Sequence, residues 1–252
     1  MDPTRSVACD PVNFVQGATY PVAVVAELIG ETGRAAILLA LLDGRARTAG
    51  GLALVANISA SSASGHLSKL VDGGLLVVQR SGRHRYYSLA GSQVAQAIEG
   101  LGAIATRPAL GLRAARARAS GSSRRSGNAE IYVARSCYDH LAGRVAVGLA
   151  RGLEQRDVIR VCGEREYALG RGGARWFGAL GVDVEALRAS RRSFARRCLD
   201  WTERRPHLAG ALGAALFSRM LDLGWIARRR DSRVVRVTHL GARELGKIVS
   251  GE

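Results

Sequence analysis

The chain has 252 residues, enough for one large domain or two ordinary ones, and 47% of them are hydrophobic, so a proper core can form. Its formal net charge of +16 calls for a polyanionic partner, with nucleic acid the default. No run approaches the roughly 20 uninterrupted apolar residues of a membrane helix. The four cysteines are too few and scattered for a disulfide scaffold.

The charge is uneven. Residues 1–110 carry nine Lys/Arg against seven Asp/Glu, whereas 111–252 carry 28 against 14. The start, MDPTRSVACDPVNF, lacks a basic stretch followed by a long apolar run, so a cytoplasmic setting is expected. Residues 1–22 read as an arm broken by Pro3, Pro11, Gly17 and Pro21. Two helices follow, carrying Val24, Val25 and Leu28, then Ile37, Leu38, Leu41 and Leu42 after the break at Gly30 to Gly33.

Residues 49–89 predict a short helix, a serine-capped second helix and a two-stranded wing, the order of a winged helix-turn-helix. Ser59 is placed to cap the second helix. Ala63, Leu67 and Leu70 share its inward face. Ser61, Gly65 and Ser68 then point outward, flanked by Ser62, Ser64 and Lys69. Small hydroxyl side chains allow deep seating in a major groove about 12 Å wide. They position the helix more than they discriminate bases. His66 reads as a packed, hydrogen-bonded histidine rather than a base reader. The wing, 75–80 and 83–89, is expected to turn at Ser81-Gly82, with Arg80, Arg83, His84 and Arg85 at its tip for backbone or minor-groove contact. A helix over 92–104, with Val94, Ala97, Ile98 and Leu101 on one face, suits dimerisation. These residues delimit a domain over 23–105, followed by a basic linker over 106–129.

This domain resembles the ArsR/SmtB family of dimeric bacterial repressors. ISASSASGHLSKLVDGGLLVVQRSGRHRYYSL matches that family's pattern, and the likeness covers residues 23–103. The resemblance implies a homodimer, two recognition helices on a near-palindromic operator in double-stranded DNA, and release on effector binding. The family's known metal sites are not carried over. The helix over 48–55 has no cysteine, and the last helix has Glu99 but no histidine.

Residues 130–252 read as a regulatory domain built by duplication. Cys137-Tyr138-Asp139-His140-Leu141-Ala142-Gly143 is echoed by Cys198-Leu199-Asp200 and His207-Leu208-Ala209-Gly210. Each motif leads into an apolar helix, a strand-turn-strand and a glycine-led helix, a winged-helix-like unit. The expected class is therefore mainly α with small β-hairpins (α+β), a winged helix-turn-helix plus two such units. If the units pack about a pseudo-dyad, Cys137, His140, Cys198 and His207 approach one another, with Asp139 and Asp200 as further ligands or caps. Two thiolates and two imidazoles suit zinc, copper or another thiophilic metal. Cys137 and His140, three apart, would share a helix face. Three other readings stay open: a structural cluster without cofactor, a thiol-redox switch activated by Arg135, Arg196 and Arg197, and an organic effector site. Arg228, Arg229, Arg230, Arg233 and Arg236, and the basic run RASRRSFARR at 188–197, are expected to add phosphate contacts.

ALGRGGARWFG lacks the dinucleotide spacing, and no Walker lysine, nucleophile elbow or HExxH appears, so no enzyme is expected. The function read from the chain is a DNA-binding transcriptional regulator, a homodimeric repressor modulated through its second half. The alternatives are a thiol- or metal-dependent enzyme fused to a DNA-targeting module and an effector-free architectural DNA binder.

Overall fold

The computed structural model describes residues 22–105, 125–230 and 232–250. The expected arm and linker lie outside these, apart from Val22 and residues 125–129, which are helical. Among the described residues no helix is long and apolar enough to cross a membrane.

The first half runs α1 (Val22–Ile29), α2 (Thr32–Ala40), a single 3-10 turn (Leu41–Asp43), β1 (Arg47–Thr48), α3 (Ala49–Ala56), α4 (Ala60–Asp72), β2 (Leu76–Ser81), β3 (His84–Leu89) and α5 (Ser92–Ala105). Local chemistry sets the boundaries. The Glu31 carboxylate accepts from the Gly33 and Arg34 amides and starts α2. Thr48 caps α3, and Ser59 caps α4 by accepting from the Ser62 amide at 3.1 Å. Between these helices Asn57 takes a left-handed conformation, φ 54°, which small polar side chains tolerate. Antiparallel strands in the order β1-β3-β2 form the wing sheet. Ser81 pairs with His84, so the turn is Gly82-Arg83, one residue later than the sequence suggested, and Gly82 supplies its positive φ. Ile37, Leu38, Leu52, Leu67, Leu70 and Ile98 belong to one buried cluster beneath these elements.

The second half repeats one order of elements. After α6 (Arg125–Val133) come β4 (Arg135–Cys137), β5 (His140–Ala142), α7 (Arg144–Gln155), β6 (Ile159–Cys162), β7 (Glu166–Leu169) and α8 (Gly173–Ala179). Then follow α9 (Val184–Arg188), β8 (Arg196–Leu199), β9 (Pro206–Ala209), α10 (Gly210–Asp222), β10 (Ile226–Arg228), β11 (Val235–Val237) and α11 (His239–Ser250). The two stretches do not stand as separate winged helices, because their strands cross over. The second hairpin of the first stretch pairs with the first hairpin of the second, giving the sheet β6-β7-β8-β9. Reciprocally, β11 lies against β4 through the Arg135–Val234 bridge, with the Ser136 amide donating to Arg233 O at 2.8 Å. One apolar cluster, including Leu153, Phe177, Leu212, Phe217 and Ile248, spans both stretches.

The glycine ending each HLAG motif has a backbone reason. Gly143 and Gly210 have φ of 92° and 79°, and a Cβ on them would lie 2.9 Å from Val133 O and 2.7 Å from Ser193 O. At the centre, the fully buried Arg135 reaches across to Asp200, with Nη2 2.9 Å from Oδ2. Removing one partner of such a pair leaves an uncompensated buried charge. Arg135→Leu is therefore expected to cost about 3–5 kcal/mol of unfolding free energy, read from the urea midpoint. An unchanged midpoint would show that Asp200 does not need this guanidinium.

Candidate functional site

Two surfaces and one buried centre can carry chemistry. On α4, Ala63, Leu67 and Leu70 are buried and face the core. Ser59, Ser61, Ser62, Ser64, Gly65, Ser68 and Lys69 are all exposed. Ser59 Oγ lies 2.9 Å from Ser62 Oγ and 3.0 Å from Ser61 Oγ, so the start of the helix presents a row of linked hydroxyls. His66 packs with Nδ1 3.5 Å from Glu31 and does not join the outer face. At the wing, Arg80 pairs with Arg85 across the strands, and Arg83 Nε donates to His84 Nε2 at 3.3 Å. All four are exposed, and no acidic side chain pairs with them among the described residues. The second basic hairpin differs from expectation. Arg228 lies over Phe217 and donates to Asp43 O at 3.1 Å. Arg229 pairs with Glu130, and Arg233 with Glu99. Three of its five arginines thus hold the chain to itself, leaving Arg230 and Arg236 exposed.

The buried centre gathers Cys137, His140, Cys198 and His207, whose ligand atoms all lie within 4.8 Å of one another. Their placement comes from hairpins, not from a helix face. Cys137 is the register partner of His140 in β4–β5, and Cys198 that of His207 in β8–β9. This corrects the helical reading of the three-residue spacing. It also explains why a nine-residue spacing serves equally well: a hairpin brings its strand ends together whatever the loop length. The two imidazoles meet Nε2 to Nε2 at 3.1 Å. Behind His140, Nδ1 is 3.2 Å from the Asp139 carboxylate; behind His207, Nδ1 is 3.5 Å from that of Asp200. The aspartates therefore stand behind the imidazoles rather than at the centre.

The electrostatics follow from this packing. Burial works against a charge on Asp200, but Arg135, Thr202, His207 and the Gly143 amide outweigh it and hold the carboxyl well below its usual range. Burial likewise opposes the charge on Asp139, and hydrogen bonds from His140 and Arg192 overcome it. Burial lowers the His207 pKa. His140 moves the other way: burial is outweighed by Cys137 and Asp139, and its pKa rises to about 9. A hydrogen bond shared with Cys198, together with burial, pushes the Cys137 thiol up to about 12. That is the opposite of the arginine activation the sequence suggested. Arg135, one of those candidates, is engaged by Asp200.

The donor set fits a tetrahedral thiophilic ion. Bonds of about 2.0–2.3 Å hold ligand atoms about 3.3–3.8 Å apart, so the four atoms, within 4.8 Å of one another, need draw in by no more than about 1 Å to close on an ion. The Asp139 carboxylate holds the far ring nitrogen of His140 as metal-bound histidines require, and Asp200 stands 3.5 Å behind that of His207 without a hydrogen bond. Sequence reasoning gave Arg135 a different role and did not single out Arg192; these two anchor the carboxylates. It also missed Tyr138, between the two ligands of the first hairpin. The Tyr138 amide donates to Leu42 O at 2.6 Å, and its side chain packs against the core of the first half. There Gly44, φ 74°, admits the close approach, since a Cβ would sit 2.5 Å from Tyr138 O.

A wing sheet beside a capped, outward-facing second helix defines a winged helix-turn-helix DNA-binding protein of α+β class. No family model matches the chain. It is 41% identical over 220 residues to the uncharacterized HTH-type transcriptional regulator YdfF of Bacillus subtilis (strain 168), covering 87% of this chain and 93% of that relative. The chain therefore belongs to the HTH-type transcriptional regulators, and its N-terminal domain carries the ArsR/SmtB pattern. Solved structures are similar over the N-terminal third. NolR from Sinorhizobium fredii is 29% identical over 33% of this chain and 82% of its own, with a TM-score of 0.31. The homodimeric winged helix-turn-helix domain of Mb0332 from Mycobacterium bovis is 31% identical over 33% and 77%, with a TM-score of 0.31. The cadmium sensor CMTR from Mycobacterium tuberculosis is 38% identical over 31% and 81%, with a TM-score of 0.28.

Cys137 is 2% exposed and carries a raised pKa. In native, metal-free protein it is expected to alkylate with iodoacetamide at least 100-fold more slowly than a free thiol of pKa about 8.5. Mass spectrometry of labelled peptides, with a urea-unfolded control, reads this directly. Labelling at the free-thiol rate would contradict the burial.

Proposed function

We propose that the protein is a homodimeric, metal-responsive repressor in which α4 and the wing contact operator DNA and the Cys/His centre sets operator affinity. The observation that carries this reading is the convergence of Cys137, His140, Cys198 and His207 from two hairpins, one of them docked on the DNA-binding domain. The aspartate-backed imidazoles and the thiol pair would hold zinc or another thiophilic ion. A bound ion supplies a cross-link between hairpins that otherwise meet through side chains alone. Tyr138 links the first hairpin to Leu42, at the end of the helical region that packs under α4. A shift of Cys137 and His140 therefore displaces the support of the recognition helix. Dimerisation is supported by apolar residues left exposed on α1 and α5, among them Val22 at 70%, Val24 at 57% and Ile104 at 52%.

On the DNA side, Ser61, Ser68 and Lys69 reach the major groove and Arg83 the flanking backbone. Lys69→Ala and Arg83→Ala are each expected to weaken operator binding about three- to tenfold and to lower the salt slope by about 1. Fluorescence anisotropy on a promoter fragment across a salt series measures both. Unchanged slopes would remove α4 and the wing from the interface.

Protein purified without chelator is expected to carry about one ion per chain by elemental analysis. Stripping and reloading it with zinc should change operator affinity about tenfold or more, with the loaded form binding more weakly. The Cys137→Ser/Cys198→Ser protein should bind DNA but not respond. Tyr138→Ala should keep metal affinity while losing the response. A metal-free protein whose DNA binding ignores zinc would overturn the reading; turnover lost with the cysteines would favour the enzyme alternative.

A further inference from the structure

Between α5 and the second half lies a cavity of about 450 Å³ that the regulator reading does not use. One wall is the first turns of α5, with Ser92, Gln93 and Gln96; the opposite wall carries Arg191, Arg192 and Arg196. Cys137 and His140 also border it. A second cavity of about 540 Å³ adjoins it, sharing Ser92, Tyr138, Asp139 and Arg192.

The charge in this cleft is unbalanced. Asp139 is its carboxylate, and Asp139 is already held by Arg192 at 2.5 Å and by His140. Arg191 and Arg196 then face the space with no carboxylate paired to them among the described residues. The 14-residue α5 has no acidic residue in its first turn, so its positive end adds to the same potential. Ser92, Gln93, Gln96 and Ser193 supply neutral hydrogen-bonding groups around the cations. A concave site of a few hundred Å³ with a few convergent polar groups is the usual form of a small-molecule pocket. Guanidinium groups select planar or tetrahedral oxyanions. The position is recessed between two domains, where a duplex some 20 Å across does not fit.

We infer that this interdomain cleft is a binding site for a small anion, a molecule bearing a carboxylate or phosphate group, held by Arg191 and Arg196 against the start of α5. The occupant contacts the DNA-binding domain through Ser92, Gln93 and Gln96 and the second half through the arginines. It lies beside the Cys/His centre, yet its recognition uses none of the four candidate ligands. The site therefore offers a second input to the same regulator, and it stands or falls separately from metal binding.

The test is isothermal titration of the full-length protein with inorganic phosphate and, separately, with citrate, at constant ionic strength set by sodium chloride. Saturable binding of at least one anion in the millimolar range or tighter is expected. Arg191→Gln/Arg196→Gln should raise its dissociation constant tenfold or more. Gln93→Glu, on the opposite wall, should do the same by placing a carboxylate at the site. Unchanged thermal midpoints without anion show that these variants fold. Phosphate binding alone assigns a phosphate ligand, and citrate binding alone a carboxylate. Absence of saturable binding of either, or anion binding indifferent to all three substitutions, overturns the inference. So does loss of DNA affinity in the arginine variant with anion binding intact, which would give these side chains to the duplex.

Discussion

One buried carboxylate organises the second half of the molecule. Asp200 is wholly excluded from solvent, and a charge there persists only where every lone pair is met. Its oxygens accept from Arg135 at 2.9 Å, from the Gly143 amide at 2.6 Å, and from Thr202 and the Glu203 amide. Arg135 and Gly143 belong to the first stretch, the others to the second. Satisfying Asp200 therefore requires the two stretches to meet in one register, and that register brings the two Cys/His hairpins face to face.

The crossing of the strands reinforces this constraint. Each stretch completes a sheet begun by the other, so neither can rotate away without unpairing backbone groups. The winged helix is joined to this body by the Tyr138–Leu42 bond and by the Arg233–Glu99 and Arg228–Asp43 contacts. These bonds and ion pairs are polar, with the Tyr138 ring adding an apolar contact, and each side has its own apolar cluster. Polar interfaces of this kind suit a regulator, since a change in charge or ligation at the boundary can alter how the two sides sit.

Much of this was legible in the chain. The Ser59 cap and the spacing of Ala63, Leu67 and Leu70 placed α4 and its outward serines, because helix periodicity and N-cap chemistry act within a few residues. The Cys-x-Asp and HLAG segments, contiguous at 137–143 and split at 198–200 and 207–210, pointed to the four residues that meet, since a repeat implies equivalent surfaces. The hairpin carrying each Cys/His pair was not legible. Three-residue spacing is common to a helix turn and to a tight hairpin, and the choice depends on pairing with Val234, almost a hundred residues away. That three arginines of the second basic hairpin meet Glu99, Glu130 and the Asp43 carbonyl was not legible either, because a charge run does not say what will stand opposite it.

Apart from the hairpins that carry the Cys/His pairs, the sequence by itself determined most of the elements, the DNA-reading module and the identity of the clustered side chains, all set by local propensity, apolar periodicity and internal repetition. Only the tertiary structure decided that the strands of the two stretches cross over, that Asp139 and Asp200 stand behind the imidazoles, and that Tyr138 ties the centre to the DNA-binding domain. Those facts depend on which distant groups satisfy a buried charge or an open strand edge. Such pairing is settled by the whole packed interior at once, so no local stretch of sequence records it.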